Sequence, residues 1–311
     1  MWPSTQKAQF RRRRAKISPL SVSSSSSISG SNQRRSPGVH SVSFNALGID
    51  VRVRVDDPSL LPDLRGLTAS YPHAGSESFS LRFDIESEPP LLWCDEQLAA
   101  RCASRLDLVP LFEWNLYRQL AQRSARGWLV HAAALASERG AVLLVGPSGC
   151  GKSTLSLALT TRGMSYITDD CTLVDDEGLV VGVRRPIGFD AGGLRQPIPT
   201  GFTSRSYTVR LPDGSVTHPQ QIHPPRTKLC ERAPLSVIVT LRHTPDEEPG
   251  WRRLSAGEAL CALWPQTMRL DQAALDGTIE LIARYPAFAV TTRDIEGACV
   301  MLENLTGSQI G

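Results

Sequence analysis

The sequence has no apolar run of the length a membrane-spanning helix needs, so no membrane span is expected. It has no C-x-x-C pair. Its seven cysteines, Cys94, Cys102, Cys150, Cys171, Cys230, Cys261 and Cys299, are odd in number and widely spread. That spread argues against a disulfide framework or a zinc site and for free thiols in a reducing cytosol. No internal repeat is present. The first 49 residues lack Asp and Glu altogether, yet they carry Lys7, Arg11, Arg12, Arg13, Arg14, Lys16, Arg34 and Arg35. Removing those eight from 34 basic residues leaves 26 against 31 acids, so the body is about five units negative. The basic balance belongs to the tail, and the folded body gives no electrostatic reason to expect nucleic-acid binding.

What is present suffices for one large domain or two modest ones in 311 residues. Residues 1–42 are expected to form a disordered basic tail, rich in Ser and Arg. An Arg-rich, acid-free leader also fits organelle targeting, and Arg11–Arg14 could serve as a nucleic-acid-binding arm. A plain extension, or a start assigned too early, is the favoured reading.

A first folded segment is expected from Ser43 to Arg126. Ile49–Val55 and Phe79–Ile85 alternate apolar and polar residues and should be half-buried strands. Phe112, Leu116 and Leu120 share one face of a helix near Val109–Gln122, with Pro110 in its first turn. A second segment should run from Gly127 to about residue 308. Trp128–Leu135 reads as one strand, turning at Glu138–Gly140 into a second, Ala141–Val145. A helix from Lys152 to Arg162 stops at Gly163. Short strands follow at Tyr166–Thr168, Thr172–Val174 and Leu179–Val183. Residues 186–233 are rich in Pro and Gly and read as irregular. Then come a strand at Leu235–Leu241, helices at Ala256–Trp264, Gln272–Arg284 and Ile295–Leu305, and a strand at Ala287–Thr292.

Gly146-Pro-Ser-Gly-Cys-Gly-Lys-Ser-Thr154 fits the phosphate-loop pattern G-x-x-x-x-G-K-[ST] in full, between a strand and a helix. Gly146, Gly149 and Gly151 permit backbone angles that other residues resist. Pro147, Ser148 and Cys150 complete the turn, whose N–H groups can cradle phosphates. Lys152 should reach the β- and γ-phosphates, and Ser153 should take one Mg²⁺ position, with Thr154 behind it. The implied ligands are ATP and Mg²⁺.

Asp169 and Asp170 follow the strand Tyr166–Thr168 after a minimal crossover. Parallel strands would bring them to the same sheet edge as the loop, where open α/β sheets bind ligands. One carboxylate can hold Mg²⁺ while the other takes the proton of an attacking hydroxyl. Asp169 is assigned as base and Asp170 to the metal, with the reverse also open.

These segments resemble the HPr kinase/phosphorylase superfamily, in particular its shorter HPr-kinase-related members. The matching residues are His131-Ala-Ala, Val142-Leu-Leu-Val-Gly-Pro-Ser-Gly-Cys-Gly-Lys-Ser153, Arg162-Gly and Tyr166-Ile-Thr-Asp-Asp170. Arg184-Arg-Pro-Ile-Gly188, Ile222-His-Pro-Pro225 and the ending Phe288–Leu305 match more weakly. The resemblance implies an α/β fold: a P-loop kinase core on a mixed or parallel sheet, preceded by a small N-terminal α/β segment. It implies ATP-dependent transfer to a serine hydroxyl of a protein or peptide, with Asp169 as base and His131 supporting it. Homo-oligomerisation is compatible with it, and the expected location is cytoplasmic.

The sequence departs from that family where Thr154 follows Lys-Ser in place of Glu. It also lacks the Glu-Ile-Arg-Gly stretch tied to the phosphorylase reaction. A kinase without phosphorylase activity is therefore expected. Arg184, Arg185, Arg226 and Lys228 are candidates for stabilising the transferring group, whereas His218 and His223 have no convincing metal spacing. Rival readings are a small-molecule hydroxyl kinase and a nucleotide-sensing accessory protein without chemistry. An ABC-type ATPase ranks low, because Leu254-Ser-Ala-Gly-Glu258 is a poor signature and no apolar strand ending in Asp-Glu follows.

Overall fold

The computed structural model describes residues 40–307, apart from 70, 76, 86, 103, 125–126, 211–213, 244–247 and 293. The expected tail lies outside the described residues up to position 39. Residues 40–42, counted with it above, instead belong to the first strand.

The N-terminal segment comprises β1 (His40–Ala46), β2 (Ile49–Val55), α1 (Leu61–Thr68), β3 (Phe79–Asp84), β4 (Leu91–Cys94), β5 (Gln97–Arg101) and α2 (Leu108–Arg123). Its strands form one five-stranded sheet in sequential order. β2 and β3 run parallel, with α1 in the crossover, and the other pairs are antiparallel. The alternation of β2 buries Val51, Val53 and Val55 and sends Arg52 and Arg54 outward to Glu77. Helix α2 lays Phe112, Leu116 and Leu120 against that sheet. Phe112 meets the rings of Phe44 and Phe83 at 6.4 and 6.3 Å.

The chain continues through β6 (Trp128–Val130), β7 (Ala132–Ser137), β8 (Gly140–Val145), α3 (Lys152–Thr161), β9 (Ser165–Thr168), β10 (Thr172–Val174) and β11 (Leu179–Gly182). Next come β12 (Ile187–Phe189), β13 (Thr203–Ser206), β14 (Val209–Arg210), β15 (Val216–Thr217) and β16 (Gln220–His223). The last elements are β17 (Arg232–His243), β18 (Gly250–Arg253), α4 (Ala256–Leu263), α5 (Gln272–Arg284), β19 (Ala287–Thr292) and α6 (Ile295–Thr306). A mixed sheet of nine strands forms the centre, in the order β6-β10-β11-β17-β8-β7-β9, with β19 on β17 and β18 on β19. Strand β17 is parallel to both β8 and β19.

Every residue of β8 is apolar or glycine and buried, as a strand covered on both faces requires. Its alternate residues serve opposite layers. Val142 and Leu144 pack with Leu155 and Leu159 of α3 and Leu302 of α6. Leu143 and Val145 pack with Ala259 and Leu263 of α4 and Leu281 of α5. The molecule is thus α/β, with helices on both faces of its central sheet. Among the described residues no helix is long and apolar enough to cross a membrane.

Three expectations change. The single strand Trp128–Leu135 is two strands, broken at His131. β6 pairs with β10, whereas β7 pairs with β8 and β9. At the break His131 leaves the ladder, and its N–H donates to the Gln266 carbonyl at 2.7 Å. Apolar periodicity runs through such a switch of partner and cannot reveal it. Second, β8 and β9 are parallel as expected but not adjacent, because β7 lies antiparallel between them. Third, residues 186–233 hold the three-stranded sheet β12-β16-β13 and the β14-β15 hairpin. Ile187, Phe189 and Ile222 of that sheet pack on Leu157 of α3.

Candidate active site

The buried strand β8 delivers residues 146–151 to one edge of the central sheet. Gly149 and Gly151 sit at φ of 83° and 98°, where L side chains are strained. Gly151 is the left-handed N-cap of α3, and Lys152 opens the helix. The helix end presents unpaired N–H groups and the positive pole of its dipole there. Gly146 is different from what the motif suggests. It needs no positive φ, but a side chain there would meet Cys150 Sγ at 2.7 Å. Cys150 packs against that glycine.

Lys152 is 5 % exposed. Its Nζ donates to the carbonyls of Gly146 at 2.8 Å and Pro147 at 3.2 Å. Burial holds its pKa below the usual lysine value, with Cys150 and Asp169 opposing. Ser153 Oγ donates to Asp169 Oδ2 at 2.8 Å, and the Gly188 N–H donates to the same oxygen at 3.1 Å. Asp169 is fully buried, and its other oxygen, Oδ1, has no hydrogen-bond partner among the described residues. A buried bare carboxylate oxygen beside a serine hydroxyl fits a divalent cation. Among the described residues no three His, Cys, Asp or Glu side chains gather around one point. A cation that keeps several waters and shares phosphate oxygens, as Mg²⁺ does, needs no such cage.

Asp170 stands apart from these contacts. It adopts φ of 69°, a left-handed angle that Asp tolerates better than most residues. Its Oδ1 is 3.3 Å from His131 Nε2, and its Oδ2 pairs with Arg185 Nη1. His131 Nδ1 lies 3.2 Å from Gln266 Oε1. Desolvation first, and the charge of Lys152 second, lower the His131 pKa from 6.5 to about 4, against the opposing pull of Gln266 and Asp169. His131 is therefore neutral near pH 7. An ionised Asp170 can only accept, so Nε2 carries the proton of that contact.

The expected partnership of His131 with Asp169 is thus a contact with Asp170. Asp169 sits with the loop serine, and Asp170 sits with the histidine.

Of the four cationic candidates, Arg185 reaches the site. Its Nε and Nη2 hold Glu113 of α2 at 3.0 and 3.3 Å, while Nη1 faces Asp170. Arg184 turns to Glu231. Lys228 Nζ donates to the Thr160 carbonyl at 2.9 Å, in the last turn of α3 and away from the loop. Arg226 shares the short 3-10 turn of Lys228. Glu113, Gln266 and Gly188 were not foreseen. Glu113 belongs to no sequence motif, and neither does the Trp264-Pro-Gln266 turn.

No protein-family model matches this sequence, and no curated protein matches it. Among solved structures, the HPr(Ser) kinase/phosphatase from Coxiella burnetii is similar at 14% identity. The match covers 58% of this chain and 88% of that one, with a TM-score of 0.32. A likeness of that size carries no chemistry, which rests on the residues above.

Proposed function

We propose that this chain is a Mg-ATP-dependent phosphotransferase acting on a hydroxyl group. The carrying observation is the hydrogen bond from Ser153 Oγ to Asp169, which joins the phosphate loop to the aspartate pair. Ser153 and Asp169 would hold Mg²⁺, which supplies neutralisation of phosphate charge when bound. The N–H groups of residues 149–153 would grip the β- and γ-phosphates. Lys152 would exchange its two carbonyl contacts for phosphate oxygens.

Asp170 is the proton acceptor in this reading. Its carboxylate takes the hydroxyl proton as the acceptor oxygen bonds to the γ-phosphorus. The bond from that phosphorus to the β–γ bridging oxygen breaks, and ADP leaves. Neutral His131 donates to Asp170 and keeps it an acceptor. Arg185 adds positive charge beside the transferring group. The resemblance of His131–Asp170 to HPr-kinase-related proteins supports a serine of a peptide or protein as the acceptor. It also supports residues 127–308 as the catalytic unit, preceded by the N-terminal α/β segment, to which β1 adds residues 40–42. The seven free cysteines support a cytoplasmic location.

Incubation with γ-labelled ATP and candidate acceptors, wild type against Lys152→Ala, tests the assignment. Labelling should vanish in the variant, and equal labelling by both refutes phosphotransfer. Free serine or a sugar labelled in place of a peptide would make the acceptor a small molecule. ATP binding with no label transferred to any acceptor would favour a nucleotide sensor. The reaction should also run one way. Robust phosphorolysis of the phosphorylated product by pyrophosphate or phosphate would overturn that part.

A further inference from the structure

We infer that Glu113, on helix α2 of the N-terminal segment, is a positioning residue that aims Arg185 at Asp170. The inference rests on the reading of Asp170 as proton acceptor. Arg185 and Glu113 are held in a fork-to-fork pair, with side chains only 12% and 16% exposed. That pair occupies Nε and Nη2 of the guanidinium, so the planar group cannot rotate about its stem. Nη1 is left pointing at Asp170 Oδ2. Arg185 is ion-paired with Glu113 and Asp170, and Asp169 and the phenols of Tyr71, Tyr117, Tyr166 and Tyr207 lie within electrostatic reach of it. The Tyr166 hydroxyl also fixes the backbone, donating to the Arg185 carbonyl at 2.6 Å.

Released from Glu113, the fork would close on Asp170 with two donors and tie up the carboxylate that must take a proton. The loop contacts of Lys152 and Ser153 do not involve Glu113, so nucleotide binding should survive its loss. The N-terminal segment is then part of the transfer site.

Two measurements on the full chain test this. The first is the rate of label transfer from γ-labelled Mg-ATP, to water and to the acceptor that the wild type labels, in wild type, Glu113→Gln and Glu113→Asp. The Gln variant should lose about tenfold or more in kcat, with KM for ATP unchanged to within about threefold. The Asp variant, which keeps the charge, should recover much of the loss. The second is a thermal-unfolding cycle combining Glu113→Gln with Asp170→Asn, in which the shifts should not add. If Glu113→Gln does not fold, Glu113→Ala takes its place in both. A folded Gln or Ala variant with wild-type kcat, or unfolding shifts that add, overturns the inference. A wild type that transfers label to neither water nor any candidate acceptor sinks the phosphotransfer reading itself, and the unfolding cycle alone then decides whether Glu113 and Asp170 are coupled.

Discussion

Asp169 and Asp170 are neighbours in the chain and share no hydrogen-bond or ion-pair partner among the described residues. One is fully buried against Ser153 and Gly188, and the other faces His131 and Arg185. Their substitutions should therefore fail differently. Asp169→Asn should raise the Mg²⁺ concentration needed for turnover by about tenfold or more, read from a metal titration. Asp170→Asn should bind ATP normally by calorimetry and lose about a hundredfold in transfer. His131 adds a pH signature. Its pKa falls from 6.5 to about 4 on folding, chiefly through desolvation. Between those values the unfolded chain holds a proton that the folded one does not. Stability then rises with pH across that window and is lost as pH falls toward 4. Urea unfolding of His131→Gln should show a shallower pH slope across that window than the wild type. An unchanged slope would place the proton elsewhere.

At the scale of elements, alternation located β2 to the residue and β3 to within one, because one covered face imposes a period of two. Helices α3, α5 and α6 ended within one residue of their expected bounds, where caps punctuate the pattern: Gly151 and Asp271 before, Gly307 after. Strands of two to four residues, such as β13 to β16, are too short to show a period, so the sheet over residues 187–223 stayed hidden. The phosphate loop was legible because its residues are contiguous. Gln266 was not, since it meets His131 from 135 residues away. Strand β11 also has a quiet role at the site. A Cβ at Gly182 would lie 2.3 Å from Thr168 Cβ and 2.7 Å from the Ile167 carbonyl, at the end of β9 that launches Asp169. Gly182→Ala should lower stability by about 1–3 kcal/mol and weaken Mg²⁺-dependent turnover. Differential scanning fluorimetry and a metal titration would check both. On the opposite face, Glu303 of α6 grips Arg162, at the end of α3, at 2.5 and 2.9 Å. Glu303→Gln should cost about 1–3 kcal/mol by chemical denaturation and leave KM for ATP unchanged.

Over the whole molecule, the two expected segments do not keep separate cores. Leu129, Cys171 and Val183 are buried in the same apolar cluster as Phe44 and Phe112, with Leu173 and Met268 packed against it. A chain beginning at Gly127 would expose that surface and lose Glu113. It should melt well below the full chain and aggregate, as thermal melting and size-exclusion chromatography would reveal.

The pairing of β17 has a consequence for synthesis. Strand β8, which carries the phosphate loop, meets its parallel neighbour through groups such as Ser236 and Ala141, 95 residues apart. The far edge of β17 waits for Phe288, a further 48 residues beyond Thr240. On the ribosome, β8 can zip to β7 at once, but its other edge stays open for about 5–20 seconds at ordinary elongation rates. A nascent chain would therefore gain its nucleotide grip late, and that uncovered apolar edge is where a chaperone would hold it.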